Sequence, residues 1–348
     1  MAHYIDKFPD RIVETKNGDY RYFGGTAYLG LQTHKEFKEL FISNIMRYGT
    51  HYGASRVSNV RFSIYDKAER FLANHIGSES CITLSSGYMA SQLLSQYFTD
   101  PIYQSYRTPY SHDSFSTPGQ IKVQDYNEFH NALKNQHPNQ IAVVFLDSID
   151  FMGLNYPDFE GLRSLQLENC IVVVDDSHGF GIIGKHGSGV FRDLADLPFK
   201  ELIVCGSLGK GFGLQLGGVF GSKKRIDSLS QSPSFGGSSP ATPATMATLI
   251  ESQAIVEHQR EKLKNNLKLF RSLLKKPEFF IHSGDHPTFT FLDEQLTRHL
   301  SENKVIVTSF NYPTNDSPLM SRIVLSAFHT QEDIEFLTAA INGYKKTS

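Results

Sequence analysis

The chain reads as an α/β protein with a mostly parallel sheet, followed by a smaller α+β segment. Three observations predict this. Short, almost wholly apolar runs alternate with helical patterns from about residue 64 to residue 222, and strands apolar on both faces suit a sheet covered by helices on either side. After a helical stretch from Ala241 to Lys276, stopped by Pro277, the pattern changes to short strands and a closing helix. The 348 residues suffice for one large domain plus a smaller one.

Residues 1–40 are read as an N-terminal arm, 41–235 as a large domain and 236–348 as a smaller C-terminal domain, joined at Gly236-Gly237-Ser238-Ser239-Pro240. Ser63 is placed to cap a helix whose face is Ile64, Ala68, Phe71, Leu72 and His75 and which Gly77 ends. CITL (81–84) is the first strand of the large domain, followed by a glycine turn and a helix starting at Met89. Further strands are IAVVFL (141–146), CIVVV (170–174), LIVC (202–205) and VFG (219–221). The C-terminal part offers the strands FTFL, VIVT and RIVLS and a helix over 331–345.

Composition removes several classes of function. The apolar fraction of 40% and charged fraction of 20% are those of an ordinary globular protein. With a net charge of −2 and short basic runs (Lys223-Lys224-Arg225, Lys275-Lys276), no surface for nucleic acid is expected. Cys81, Cys170 and Cys205 sit in apolar runs without metal-ligand spacing, so buried reduced thiols and no metal are expected. The start MAHYIDKFPD lacks an apolar signal core and no window reaches membrane-spanning length; a cytoplasmic location is the default expectation.

The stretch VVVDDSHGFGIIGKHGSG (172–189) contains Gly179-x-Gly181-x-x-Gly184, the spacing of a dinucleotide loop. Such a loop needs its first glycine directly after the strand and a helix behind it. Here Asp175-Asp176-Ser177-His178 intervene, and the glycines run on through Gly187 and Gly189. The dinucleotide reading fails on context. What remains is an acid, Asp175, at a strand's carboxyl end, with His178 three residues later.

About thirty residues on, the strand LIVC leads into GSLGKGFG, with Lys210 between glycines. A phosphate-loop lysine would need Ser or Thr at 211 and glycine at 204, which are Gly211 and Val204. An approachable lysine, an acid on the neighbouring strand and the hydroxyl of Ser207 suit pyridoxal phosphate, which needs an amine for a Schiff base and a carboxylate at its ring nitrogen. Its phosphate needs donors, and Ser85-Ser86-Gly87-Tyr88 opens a helix whose free N–H groups attract a dianion.

These residues resemble the α-oxoamine synthases, pyridoxal-phosphate enzymes of fold type I (aspartate aminotransferase-like). The matching segments, in family order and spanning nearly the whole chain, are AYLGL (27–31), YGASR (52–56), SSGYMASQ (85–92), SHDS (111–114), VVDDSHGFGIIGKHGSG (173–189), GSLGKGFG (206–213), VTSFNYP (307–313) and RIVLSAFHT (322–330). The resemblance implies a large domain with a seven-stranded type of sheet and a small C-terminal domain. It implies that Lys210 carries the cofactor and moves the substrate's α-proton, and that Asp175 pairs with the ring nitrogen. His178 would bond the ring oxygen, His112 stack on the ring, and Ser86, Gly87, Tyr88 and Ser207 hold the phosphate. Ser238 would come from the other subunit of a homodimer with shared sites, and Arg322 would take the substrate carboxylate.

The implied reaction joins an amino acid to an acyl-CoA, and VTSFNYP leans towards members that use glycine. An aminotransferase, decarboxylase or racemase on the same fold is the alternative. The departures lie near the substrate. Thr26-Ala27 stands where the family has Asn before its D-Y-L-G. Asp147 to Phe151 replaces E-x-x-x-S, so the hydroxyl near the ring is missing or displaced to Asp150. Ser177 replaces an alanine, and NYPTNDSP replaces the acyl-pocket segment TVP-x-G.

Overall fold

The computed structural model describes residues 3–312 and 314–345; Pro313, the last residue of VTSFNYP, lies outside them. The chain opens with a hairpin, β1 (Ile12–Thr15) and β2 (Gly18–Phe23), and then helix α1 (Lys35–Tyr48). It groups into two compact units, one of residues 1–38, 151–153 and 254–348, the other of residues 39–150 and 154–253. The segment read as an arm therefore groups with the C-terminal residues. The glycine-rich run at 236–240 falls inside the larger unit, and the chain leaves that unit at 253/254, where helix Gln253–Leu273 begins.

In the larger unit, helix α2 (Ile64–Ile76) ends at Gly77 in the left-handed conformation, as its sequence predicts. Its expected cap is absent in kind: Ser63 is itself helical and makes no side-chain cap bond. Seven strands form one sheet: β3 (Ser80–Leu84), β4 (Tyr103–Arg107), β5 (Ile121–Lys122), β6 (Ile141–Asp147), β7 (Cys170–Asp175), β8 (Glu201–Ser207) and β9 (Gly217–Gly221), in the order β3-β9-β8-β7-β6-β4-β5. Only β9 runs against the others. Every residue of the central strand CIVVVD is buried, which is what an apolar run without alternation requires. Helix α3 (Gly87–Tyr97) lays Ala90, Leu93 and Leu94 into a core with Leu84, Val143, Phe145, Val173, Ile203 and Val219. Each large side chain buried there stabilises by about 1.5–3 kcal/mol.

The smaller unit has a six-stranded sheet in the order β1-β2-β12-β13-β11-β10, with β10 (Ile281–His282), β11 (Thr288–Thr290), β12 (Val305–Asn311) and β13 (Leu319–Val324). The single helix expected over 241–276 is two, Pro243–Glu251 and Gln253–Leu273, divided at Ser252. The closing helix runs Gln331–Gly343, opened by a capping box between Thr330 and Asp333.

Candidate active site

Three neighbouring parallel strands end together. Asp147 at the end of β6 lies opposite Asp175 at the end of β7, which in turn lies opposite Cys205 near the end of β8. This carboxyl edge of the sheet is where open α/β folds place their reactive groups. Just past β8, the one-turn helix Gly209–Phe212 carries Lys210, whose Nζ lies 2.8 Å from Nε2 of His178. Asp175 is 8% exposed. Its Oδ1 accepts the Ser177 N–H at 2.8 Å and its Oδ2 the Ser91 hydroxyl at 3.3 Å.

The glycines of 179–189 have a steric task. A Cβ on Gly179 would lie 2.0 Å from Oδ1 of Asp176, and one on Gly189 would lie 1.9 Å from its Oδ2. The two glycines make room for a buried carboxylate. The same loop rests on the lysine turn, since a Cβ on Gly211 would lie 1.9 Å from the Phe180 carbonyl. Asp176 itself accepts from the Ser148 hydroxyl at 2.5 Å and from the Val190 N–H at 2.9 Å, joining the ends of β6 and β7 to the loop.

His112 donates its backbone N–H to Asp147 Oδ1 at 2.9 Å. Its Nδ1 accepts the Ser114 N–H at 3.1 Å, which assigns the ring proton to Nε2. Burial lowers the His112 pKa, Asp175 opposes that shift and Lys210 adds to it, so the ring is neutral at physiological pH and fit to stack rather than to carry charge. Burial pushes Asp147 well above the carboxylate range and Asp175 adds to the rise, while the His112 N–H and Lys210 pull the other way. Asp176 is raised to about 7 by burial, against the hydrogen bonds of Ser148 and Val190.

The residues fit pyridoxal phosphate. Lys210 is part-exposed beside a histidine, and Asp175 stands at the adjacent strand end with both oxygens already oriented. The first N–H groups of α3 face no earlier helical turn. Gly87 brings them against the start of the lysine turn: a Cβ there would lie 2.4 Å from the Ser207 nitrogen. An anion at that helix start would meet two elements at once.

Of the residues singled out from sequence, Lys210, His178, Asp175 and His112 share this cluster, and Gly87 and Ser207 touch beside it. Ser86 uses its hydroxyl to cap α3, accepting the Met89 N–H at 3.2 Å, while Tyr88 is 58% exposed on the first turn. Ser238 donates to the Ser234 carbonyl and, among the described residues, makes no hydrogen bond to the Lys210 cluster. Arg322 lies on β13 in the smaller unit, its guanidinium carbon 3.6 Å above the ring centroid of Phe151.

Asp150, where the missing hydroxyl is expected if displaced, shapes the chain after β6. Its carboxylate accepts the Leu154 and Asn155 N–H groups at 3.2 and 2.8 Å and so closes a turn. Reasoning from sequence gave no role to Ser91 or Asp176 and noted Asp147 only as the start of a departure from the family pattern. Asp147 and Asp176 were each visible as an acid at the end of an apolar run; Ser91 gave no signal beyond sitting one turn into α3. Ser177, noted only as a departure, accepts the Ser207 N–H at 2.7 Å and ties the ends of β7 and β8.

Residues 97–341 match the family model of aminotransferase class I and II. The chain belongs to that family. Its relatives include the 8-amino-7-oxononanoate synthase of Thermosipho melanesiensis, 28% identical over 89% of this chain and 84% of that protein, and that of Saccharophagus degradans, 28% identical over 94% and 88%. A serine palmitoyltransferase from S. paucimobilis, solved with a bound PLP–myriocin aldimine, superposes with a TM-score of 0.83 at 16% identity, over 98% of this chain and 92% of that one. The 8-amino-7-oxononanoate synthase of Francisella tularensis superposes with 0.70 at 19%, over 93% and 98%. This aminotransferase class I and II protein has the fold of type I pyridoxal-phosphate transferases, and it is an enzyme with that cofactor.

Proposed function

We propose that the protein is a C-acyltransferase similar to 8-amino-7-oxononanoate synthase, joining an amino acid to an acyl-CoA. The observation that carries the reading is the Lys210–His178 contact beside Asp175 at adjacent strand ends, in a chain whose curated relatives bear that enzyme's name. Bound pyridoxal phosphate supplies an aldehyde that captures amines and a protonated ring that withdraws electrons from the captured amino acid. Asp175 would hold the proton of the cofactor's ring nitrogen. Lys210 carries the cofactor, and its Nζ is the base that moves the α-proton. His178 orients Lys210 and would bond the ring oxygen of the bound cofactor, and neutral His112 would cover its ring face. Gly87, Tyr88 and Ser207 present N–H and O–H donors to the phosphate, while Ser86 shapes the helix start.

Arg322 is assigned the substrate carboxylate. A guanidinium matches a planar carboxylate with two donors side by side, and the face of this one lies on Phe151. A homodimer in which Ser238 completes the partner's site is supported by Ile42 and Met46, 58% and 82% exposed one turn apart on α1. A cytoplasmic home is consistent with the finding that no helix among the described residues is long and apolar enough to cross a membrane.

The test is a matrix of glycine, L-alanine and L-serine against acyl-CoAs of several lengths, with products identified by mass spectrometry and the visible band followed for each amino acid. One amino acid should change the band and yield a ketone product with one thioester. No spectral change with any of the three overturns the reading. Conversion of the cofactor to its amine form without a thioester selects the aminotransferase alternative that the family name keeps in view. Glycine as the productive partner would favour a 2-amino-3-ketobutyrate ligase-like reaction.

A further inference from the structure

Ser91 is a fully buried hydroxyl on α3, one turn past the helix start that faces the phosphate. Its oxygen lies 3.1 Å from the Gly87 carbonyl, 3.3 Å from Asp175 Oδ2 and 3.9 Å from the Cys205 sulfur. The hydroxyl has one proton to donate. The Gly87 carbonyl is the acceptor four residues back in a regular helix and already takes a backbone N–H. A carboxylate is the stronger acceptor, because a charge-assisted hydrogen bond is roughly twice as strong as a neutral one. The proton therefore goes to Asp175. The other oxygen of Asp175 is taken by the Ser177 N–H, so the carboxylate is held at both ends, by the turn after its own strand and by α3.

We propose that Ser91 is the positioning residue for Asp175, so that the helix whose first turn faces the cofactor phosphate also sets the acid that faces the ring nitrogen. The inference rests on the reading of Asp175 as the partner of that nitrogen. Serine is suited to the place because it combines a small buried volume with a donor. Alanine would leave Asp175 Oδ2 without this bond, and a larger residue would press on the Cys205 side of the core.

The experiment titrates cofactor-free protein with pyridoxal phosphate, reading affinity from the visible band and from ultrafiltration, for Ser91→Ala, Ser91→Cys, Asp175→Asn and Ser91→Ala/Asp175→Asn. Ser91→Ala should weaken binding about tenfold, the size expected for one hydrogen bond to a charged group. Ser91→Cys, with a weak donor of similar size, should lie between. In the Asp175→Asn background the alanine change should matter by less than about twofold, because the two residues act as one unit. Equal losses in both backgrounds would mean that Ser91 only packs, and would overturn the proposal. If Asp175→Asn lowers affinity and Ser91→Ala does not, the proposal alone falls. If Asp175→Asn leaves affinity and band unchanged, the reading of Asp175 falls and the proposal with it.

Discussion

Asp333 in the smaller unit and Asp176 in the larger are both wholly buried aspartates at the start of a turn or helix, and their titrations move in opposite directions. Burial favours the neutral form of each. At Asp333 it is outweighed by hydrogen bonds from Arg11, from Thr330 and from Arg21, and the pKa falls to about 2. At Asp176 only a hydroxyl and one backbone N–H oppose burial, and the pKa rises to about 7. The smaller unit pairs its buried acid with arginines. The larger unit gathers Asp147, Asp175 and Asp176 at one sheet edge, with Lys210 close by, in the place where a protonated ring is expected. Burial that few donors oppose favours the neutral carboxyl at Asp147 and Asp176, whereas paired arginines keep the structural acid Asp333 ionised where it stands.

The sharpest way to break this contrast is steric. Gly189 has a φ of +73° and its Cβ would lie 1.9 Å from Asp176. Gly189→Ala should destabilise by more than ~3 kcal/mol in urea unfolding followed by circular dichroism, with part of the loss restored in Gly189→Ala/Asp176→Ala. Full stability of the single variant would show that the glycines do not cradle the acid.

Next comes Asp176→Asn. An acid whose folded pKa lies above its unfolded value leaves stability unaffected below about pH 4, where both states are protonated. It then lowers stability progressively as pH rises to about 7, and by a constant amount beyond. The variant should therefore match the native chain at pH 4 and exceed it by up to about 4 kcal/mol at pH 8. Asp333→Asn should behave in the opposite sense. It should lose about 1–2 kcal/mol at pH 7, where the native acid is ionised and bonded, and the difference should close as pH falls through about 4 towards 2. Two profiles of the same sign would erase the comparison. The smallest effect belongs to Ser63→Ala, which should change stability by less than ~0.5 kcal/mol because Ser63 makes no cap bond, while Thr242→Ala, whose hydroxyl caps Thr245, should cost about 1 kcal/mol.

Much of the larger unit was legible because its strands are too apolar to be anything but buried, and because Gly77 marks a helix end with backbone chemistry of its own. Lys210, Asp175, His178 and His112 were legible because each stands in a local pattern tied to a strand end. Ser91 was not, since its value comes from Asp175, 84 residues away in the chain. The task of Gly179 and Gly189 was not legible, since it depends on the direction in which Asp176 points, which no spacing encodes. The grouping of residues 1–38 with the C-terminal residues, where 1–40 reads as an arm, was hidden for a similar reason: β2 pairs with β12, nearly three hundred residues later. Ser63 failed because residue type suggests a cap while the backbone angle decides whether one forms.

All three thiols are buried, and Cys205, fully enclosed on β8, the strand that leads to Lys210, has its sulfur 3.9 Å from the Ser91 hydroxyl. Burial raises its pKa well above the ordinary thiol value, which keeps it in the unreactive protonated form. An alkylating reagent can reach that sulfur only when the sheet edge opens. Its labelling rate is thus a stopwatch native to the chain, timing how often the centre comes apart and how far a bound vitamin slows it.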